Sequence, residues 1–194
     1  MKLNEIIKTI EDWAPISSAE KFDNVGLIIG DESSNVNKAL ITIDTLENVV
    51  DEAIENKCDL IISFHPIVFK GLKKIVNKNY VEKTVLKAIK NNINIYALHT
   101  NLDNHPNGVN YQISNYLELK NTAILIPKKD FNGGLGMIGE VNKPISEKEF
   151  LNFVKKKMRV KMIKHSNFLK KNIRRVAVLG GSGSFAISNA IKEK

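Results

Sequence analysis

The sequence predicts an α/β fold whose mainly parallel sheet is flanked by helices, and three observations predict it. Between residues 38 and 98, short apolar runs alternate with stretches of helical apolar spacing. Each strand-helix step takes roughly 30 residues, the length that joins parallel strands by right-handed crossovers. The run Asp59–Lys70 ends abruptly on His65 and Pro66, and a proline cannot donate to a central ladder, so the strand stops there with the imidazole at its C-terminal end. In open α/β sheets that edge is where ligands are held.

Taken in order, Leu3, Ile6, Ile7 and Ile10 predict an amphipathic helix over 2–12, with Asn4 near its cap and Trp13 completing the apolar face. Residues 14–30 read as a loop, with turn chemistry at Asp23-Asn24 and a flexible Gly26. A strand is expected over 39–44, a helix with Leu46, Val49, Val50, Ala53 and Ile54 on one face, and a second strand over 61–64. Val81, Val85, Ala88 and Ile89 mark another helix, and 93–98 a third strand. Beyond it, Asn104–Gly108 forms a turn with His105 as a loop residue, a helix runs through Val109, Ile113 and Leu117, and a strand covers 123–126. The glycines of 133–139 lead into an extended run and not a helix, which excludes a dinucleotide fingerprint. Ser146 to Glu149 has capping-box spacing ahead of a helix with Phe150, Val154 and Met158 on its apolar side. The run 174–179 reads as a buried strand that delivers Gly180, Gly181, Ser182 and Gly183, with helical spacing resuming from Phe185 to Ile191. Strand, glycine loop and helix start form an anion site in principle, although the lysine of a P-loop is missing and a tight turn is the competing reading.

An apolar fraction of 43% is that of a packed protein and excludes general disorder. The single cysteine, Cys58, reads as a small residue at a helix-to-strand turn, and with no leader ahead of the first residues the expected compartment is the cytoplasm. No apolar run approaches the roughly 20 residues a membrane span needs. The net charge of +8 is uneven: residues 1–149 hold 17 Lys/Arg against 20 Asp/Glu, and residues 150–194 hold 12 against 1. That basic end admits a nucleic-acid partner, but a solvated lysine-rich face is the favoured reading, because few aromatic residues interleave with the charges; His165 counts as surface.

Parallel strands bring Asp44, His65 and His99 to one edge, with Asp103 a few residues further on. Two carboxylates and two imidazoles at a ligand-binding edge point to metal coordination.

The blocks Ala19–Leu27, Asp44, Ser63–Phe69, Leu98–Asp103 and Gly180–Gly183 stand in the order and spacing of the Nif-three-like family, and the chain resembles it from its first helix to its last residue. Bacterial members are labelled GTP cyclohydrolase 1 type 2 homologues. The resemblance implies a fold of two interlinked α/β halves, a toroidal homohexamer, and a site for two divalent metal ions, with Zn, Fe, Mn or Co all compatible with imidazole and carboxylate ligands. It implies His65 and Asp103 as metal ligands, with His99 and Asp44 as orienting partners or additional ligands. Phe64 stands where many members have a first histidine, which removes one ligand from the pattern. Members continue to a further histidine and glutamate, so a chain stopping at Lys194 is expected to present residues 1–128 as a first half with the ligand motifs and residues 129–194 as an incomplete second half. The implied activity is hydrolysis by a metal-activated water. The alternatives are a non-catalytic metal-binding oligomeric scaffold and, less favoured, nucleic-acid binding through 155–175; the substrate is not readable.

Overall fold

The computed structural model describes residues 1–193; Lys194, where the expected second half ends, lies outside the described residues. The chain divides into two compact units, Met1–Leu102 and Asp103–Lys194.

In the first unit a four-stranded sheet has the order β1-β4-β3-β2, formed by β1 (Gly26–Ile29), β2 (Ala39–Thr42), β3 (Leu60–Ser63) and β4 (Asn94–Ala97). Strands β2, β3 and β4 are parallel, as the alternation of apolar runs and helical spacing requires. Helix α2 (Glu47–Glu55) makes the first crossover and α3 (Tyr80–Lys90) the second. Val50 and Ala53 of α2 and Val85 and Ala88 of α3 pack with Ile61 and Ile95 on one face of the sheet. Helix α1 (Leu3–Trp13) covers the other face, placing Leu3 and Ile7 on Leu60 and Tyr96. Ile61, Ile95 and Leu60 are fully buried, each contributing about 1.5–3 kcal/mol of transfer free energy. Tyr96 is buried too, and its hydroxyl donates to Glu11 at 3.2 Å; burial, and then that carboxylate, push its phenol well above the ordinary value.

Several elements differ from the reading of the sequence. The stretch read as a loop contains β1, which pairs antiparallel with β4; it is four residues long and bounded by Gly26 and Gly30, too short for a period to show. Gly30 is required by close approach, since a Cβ there would fall 2.1 Å from Asn94 Oδ1. Helix α1 keeps the span read for it to within one residue, but its cap position is Lys2 and not Asn4, the Lys2 N–H donating to Glu5 at 3.1 Å. Trp13 is exposed, and the adjacent Ala14 is the buried residue. Cys58 is buried in the connection from α2 to β3.

Helix α4 (Thr100–Asn104) follows β4 directly. The second unit contains α5 (Val109–Tyr116), β5 (Lys120–Pro127), β6 (Gly134–Ser146), α6 (Glu147–Met158), β7 (Asn172–Val178) and α7 (Ile187–Lys192). Its sheet, in the order β5-β6-β7, is antiparallel throughout. Strand β5 pairs with β6, and both lie in the unit that starts at Asp103. Leu125, Ile138 and Ala186 form the buried centre. Strand β7 is an edge, and Arg174 and Arg175 are exposed on it, so it is less buried than its apolar residues suggest.

The capping box forms as read: Ser146 Oγ accepts the Glu149 N–H at 3.3 Å, and the Glu149 carboxylate accepts the Ser146 N–H at 3.0 Å. Ser146→Ala is expected to lower stability by about 0.5–2 kcal/mol, measured as a shift in the urea midpoint with the m-value unchanged. No helix among the described residues is long and apolar enough to cross a membrane.

Candidate functional site

The site is set by register. Thr42 pairs with Ser63, and Ser63 with Ala97, so the last residues of β2, β3 and β4 lie side by side. Asp44, His65 and His99 each stand two residues beyond those ends. The ladder continues a little way past them, with His65 N donating to Ile43 O at 2.9 Å and Leu98 N to Ser63 O at 2.8 Å. Two strand-end hydroxyls hold the backbone just beyond: Thr42 Oγ1 donates to Asp44 O, and Ser63 Oγ to His65 O, both at 3.0 Å. His99 is fixed by its N–H, which donates to Asn101 Oδ1 at 2.9 Å; Asn101 is itself fully buried and donates to Ala14 O.

Each imidazole meets a carboxylate. His65 Nδ1 lies 2.7 Å from Asp44 Oδ1, and His99 Nδ1 lies 2.8 Å from Asp23 Oδ1. A carboxylate only accepts, so Nδ1 carries the proton in both rings and Nε2 of the neutral ring keeps its lone pair. The two ring centroids are 5.4 Å apart and the rings nearly perpendicular, at 76°. Phe64 meets His65 at 5.0 Å and His99 edge-on at 5.5 Å, and Phe69 meets His99 edge-on at 6.1 Å. Phe64, where the resemblance implies a first histidine, presents an apolar ring to both imidazoles.

The two pairs sit in unlike surroundings. The side chains of His65 and Asp44 are 47% and 59% exposed, those of His99 and Asp23 20% and 0%. Burial alone pushes the Asp23 carboxyl up, but hydrogen bonds from His99, from the side chain and N–H of Thr100, and from the Asn24 N–H outweigh it and hold the group below the ordinary aspartate value. Thr100 Oγ1 donates to Asp23 Oδ2 at 2.5 Å and accepts the Glu20 N–H at 2.8 Å. Asp23 is thus the residue that sequence reasoning missed as part of a site. Its local signature is that of a turn, and the one signal that singled it out was its place inside the Ala19–Leu27 block of the family resemblance.

Asp103 lies on α4 and is counted with the second unit, where Asn110 Nδ2 donates to its carbonyl at 3.1 Å. His105 comes next in a turn, its Nδ1 accepting the Asn107 N–H at 3.1 Å. The Gly180–Gly183 loop is also in the second unit; its first N–H is taken by Asn110 Oδ1 at 2.8 Å, and the chain enters α7 through a 3-10 turn over Ser184–Ala186. The structure therefore brings together His65, His99, Asp44 and Asp23 within one unit.

The donor chemistry suits a borderline metal ion: an imidazole backed by a carboxylate is how metal-ligating histidines are usually oriented. Two nitrogens are a partial set: among the described residues no group of three or more His, Cys, Asp and Glu side chains is placed to hold a metal ion.

The carboxylate-held imidazoles stand at the C-terminal ends of parallel strands, the edge where open α/β sheets commonly hold ligands. The family description "Duf34/NIF3 (NGG1p interacting factor 3)" matches residues 1–194, and the chain belongs to this family. It is 37% identical over 194 residues to a Clostridium acetobutylicum protein named GTP cyclohydrolase 1 type 2 homolog, covering 99% of this chain and 72% of that protein. A Clostridium perfringens protein of the same name is 36% identical over 194 residues, covering 99% and 74%. Among solved structures, the Bacillus cereus protein related to NIF3 superposes with a TM-score of 0.92 at 25% identity, covering all of this chain and 80% of that one.

Proposed function

We propose that this protein binds a divalent transition-metal ion at the edge of its parallel sheet and uses it in hydrolysis. The observation that carries the reading is the pair of imidazoles 5.4 Å apart, His65 and His99, each held at Nδ1 by its own carboxylate. Such an ion supplies Lewis acidity at neutral pH. The chain's own residues do the rest. Asp44 and Asp23 orient the rings, Phe64 and Phe69 set apolar rings against them, and the exposed His65 is the ring within reach of a substrate. The name of the Clostridium relatives makes GTP the first substrate to test, followed by other purine nucleotides.

The test is turnover of that panel with added Zn, Mn, Fe or Co, for the full chain and its His65→Ala variant. Metal-dependent turnover that disappears in the variant is the expected result. Metal binding with no turnover of any member would replace the hydrolase with a metal-binding scaffold, and the absence of metal binding would overturn both readings.

A further inference from the structure

Ten Lys and Arg residues and no Asp or Glu occupy positions 155–175. Among the described residues, ion pairs engage only two of the ten: Lys157 with Glu118, and Arg175 with Glu193. The remaining eight cations are concentrated on one stretch of the second unit, which alone would be a solvated face. The packing of 159–171 makes it more than that. This segment leaves the end of α6 and folds back along the helix, where Glu147 in the first turn accepts the N–H groups of Leu169 and Lys170 at 2.9 and 3.0 Å. Pinned at both ends, the segment and the helix enclose a cleft of about 430 Å³, within the size range of small-ligand pockets.

The lining has a definite chemistry. Lys148 and Lys155 come from one face of α6, with Leu151 between them, and Lys161 comes from the returning segment. His165 and Phe168 line the same cleft and are stacked, with ring centroids 4.7 Å apart and an interplanar angle of 16°. No carboxylate lines the cleft. Ammonium groups, a stacked aromatic pair and the apolar Leu151, Met162 and Ile163 in one lining match a phosphate joined to a base.

We propose that this cleft binds single-stranded nucleic acid, with Lys148, Lys155 and Lys161 on consecutive phosphates and Phe168, backed by His165, as the platform on which one base stacks. A bilayer surface is the competing polyanion, since Met162 and Leu169 are exposed on the same segment. A surface-binding segment presents its apolar residues along one side of an amphipathic helix. Here the segment forms neither helix nor strand and Phe168 lines the cleft, which favours a base over a lipid tail. The proposal is independent of the metal reading, because all of its residues lie in the second unit.

Fluorescence anisotropy with labelled dT and rU 12-mers, titrated over a salt series with the full chain, tests it. Three phosphate contacts predict a slope of log K against log salt of about −2, and the double variant Lys155→Ala/Lys161→Ala should reduce its magnitude by about 1.4. Phe168→Ala should weaken binding about tenfold or more with the slope unchanged, and Phe168→Tyr should restore it. The two oligonucleotides decide between DNA and RNA as the source of the strand. No binding at low salt, binding untouched by the Lys155, Lys161 and Phe168 substitutions, or binding only to phosphatidylserine vesicles would each overturn the proposal.

Discussion

Replacing Asp23 with alanine should lower the unfolding free energy by about 3–5 kcal/mol, the range for removing one partner from a buried hydrogen-bonded pair. The side chain is fully buried and accepts from His99, from Thr100 twice and from Asn24. Truncation leaves donors with no acceptor in a place water does not reach. Asp23→Asn should be less damaging, because it keeps one carbonyl oxygen, but its amide turns N–H groups toward at least one of those donors. The same network sets a pH dependence. The folded-state carboxyl titrates below its ordinary value, so its stabilisation is fully present above the unfolded aspartate pKa of about 3.9 and is lost as pH falls through the lower folded value. Urea midpoints measured from pH 6 down to pH 3 should fall for the wild type more steeply than for Asp23→Asn. Equal slopes would mean that the Asp23 carboxyl titrates alike in the folded and the unfolded chain.

The second large effect concerns Asp44. Its carboxylate meets His65 Nδ1 at 2.7 Å in an exposed setting, so little folding stability depends on the pair; surface ion pairs contribute about 0–1 kcal/mol. Its value lies in orienting the ring. Loss of such an orienting carboxylate reduces metal affinity by about 10–100-fold. Asp44→Ala should therefore show near-wild-type unfolding and a metal dissociation constant raised by that factor in calorimetric titration with Zn or Co. Asp23→Ala, by contrast, should affect both stability and metal affinity. An Asp44→Ala protein with unchanged affinity would assign the tautomer of His65 to some other group.

The parallel core was legible because each of its elements has a strong local signal. The Ile61–Phe64 run closes on Pro66, the helical faces of α2 and α3 repeat their apolar residues at the right spacing, and the strand ends deliver Asp44, His65 and His99 two residues past a shared register. Three things were not legible. Strand β1 is four residues long between two glycines, and it becomes a strand by pairing with β4, which is a tertiary event. Asp23 has the local grammar of a turn, and its contacts with His99 and Thr100 span more than 75 positions of sequence. The boundary between the units tracks the pairing of β5 with β6, whereas composition shifts only where the lysines accumulate. The stacking of His165 on Phe168 belongs with these: two residues of unremarkable spacing meet because Glu147 ties the segment back to its helix.

The most direct test of the central claim is metal content per chain by elemental analysis, after reconstitution with Zn or Co and dialysis, for the wild-type chain beside His65→Ala. Circular dichroism of both proteins serves as the control for folding. Near-stoichiometric metal in the wild type and its loss in a folded His65→Ala protein is the predicted result. Equal metal in the two proteins, or none in the wild type after reconstitution, would contradict a metal site built on the strand-end imidazoles.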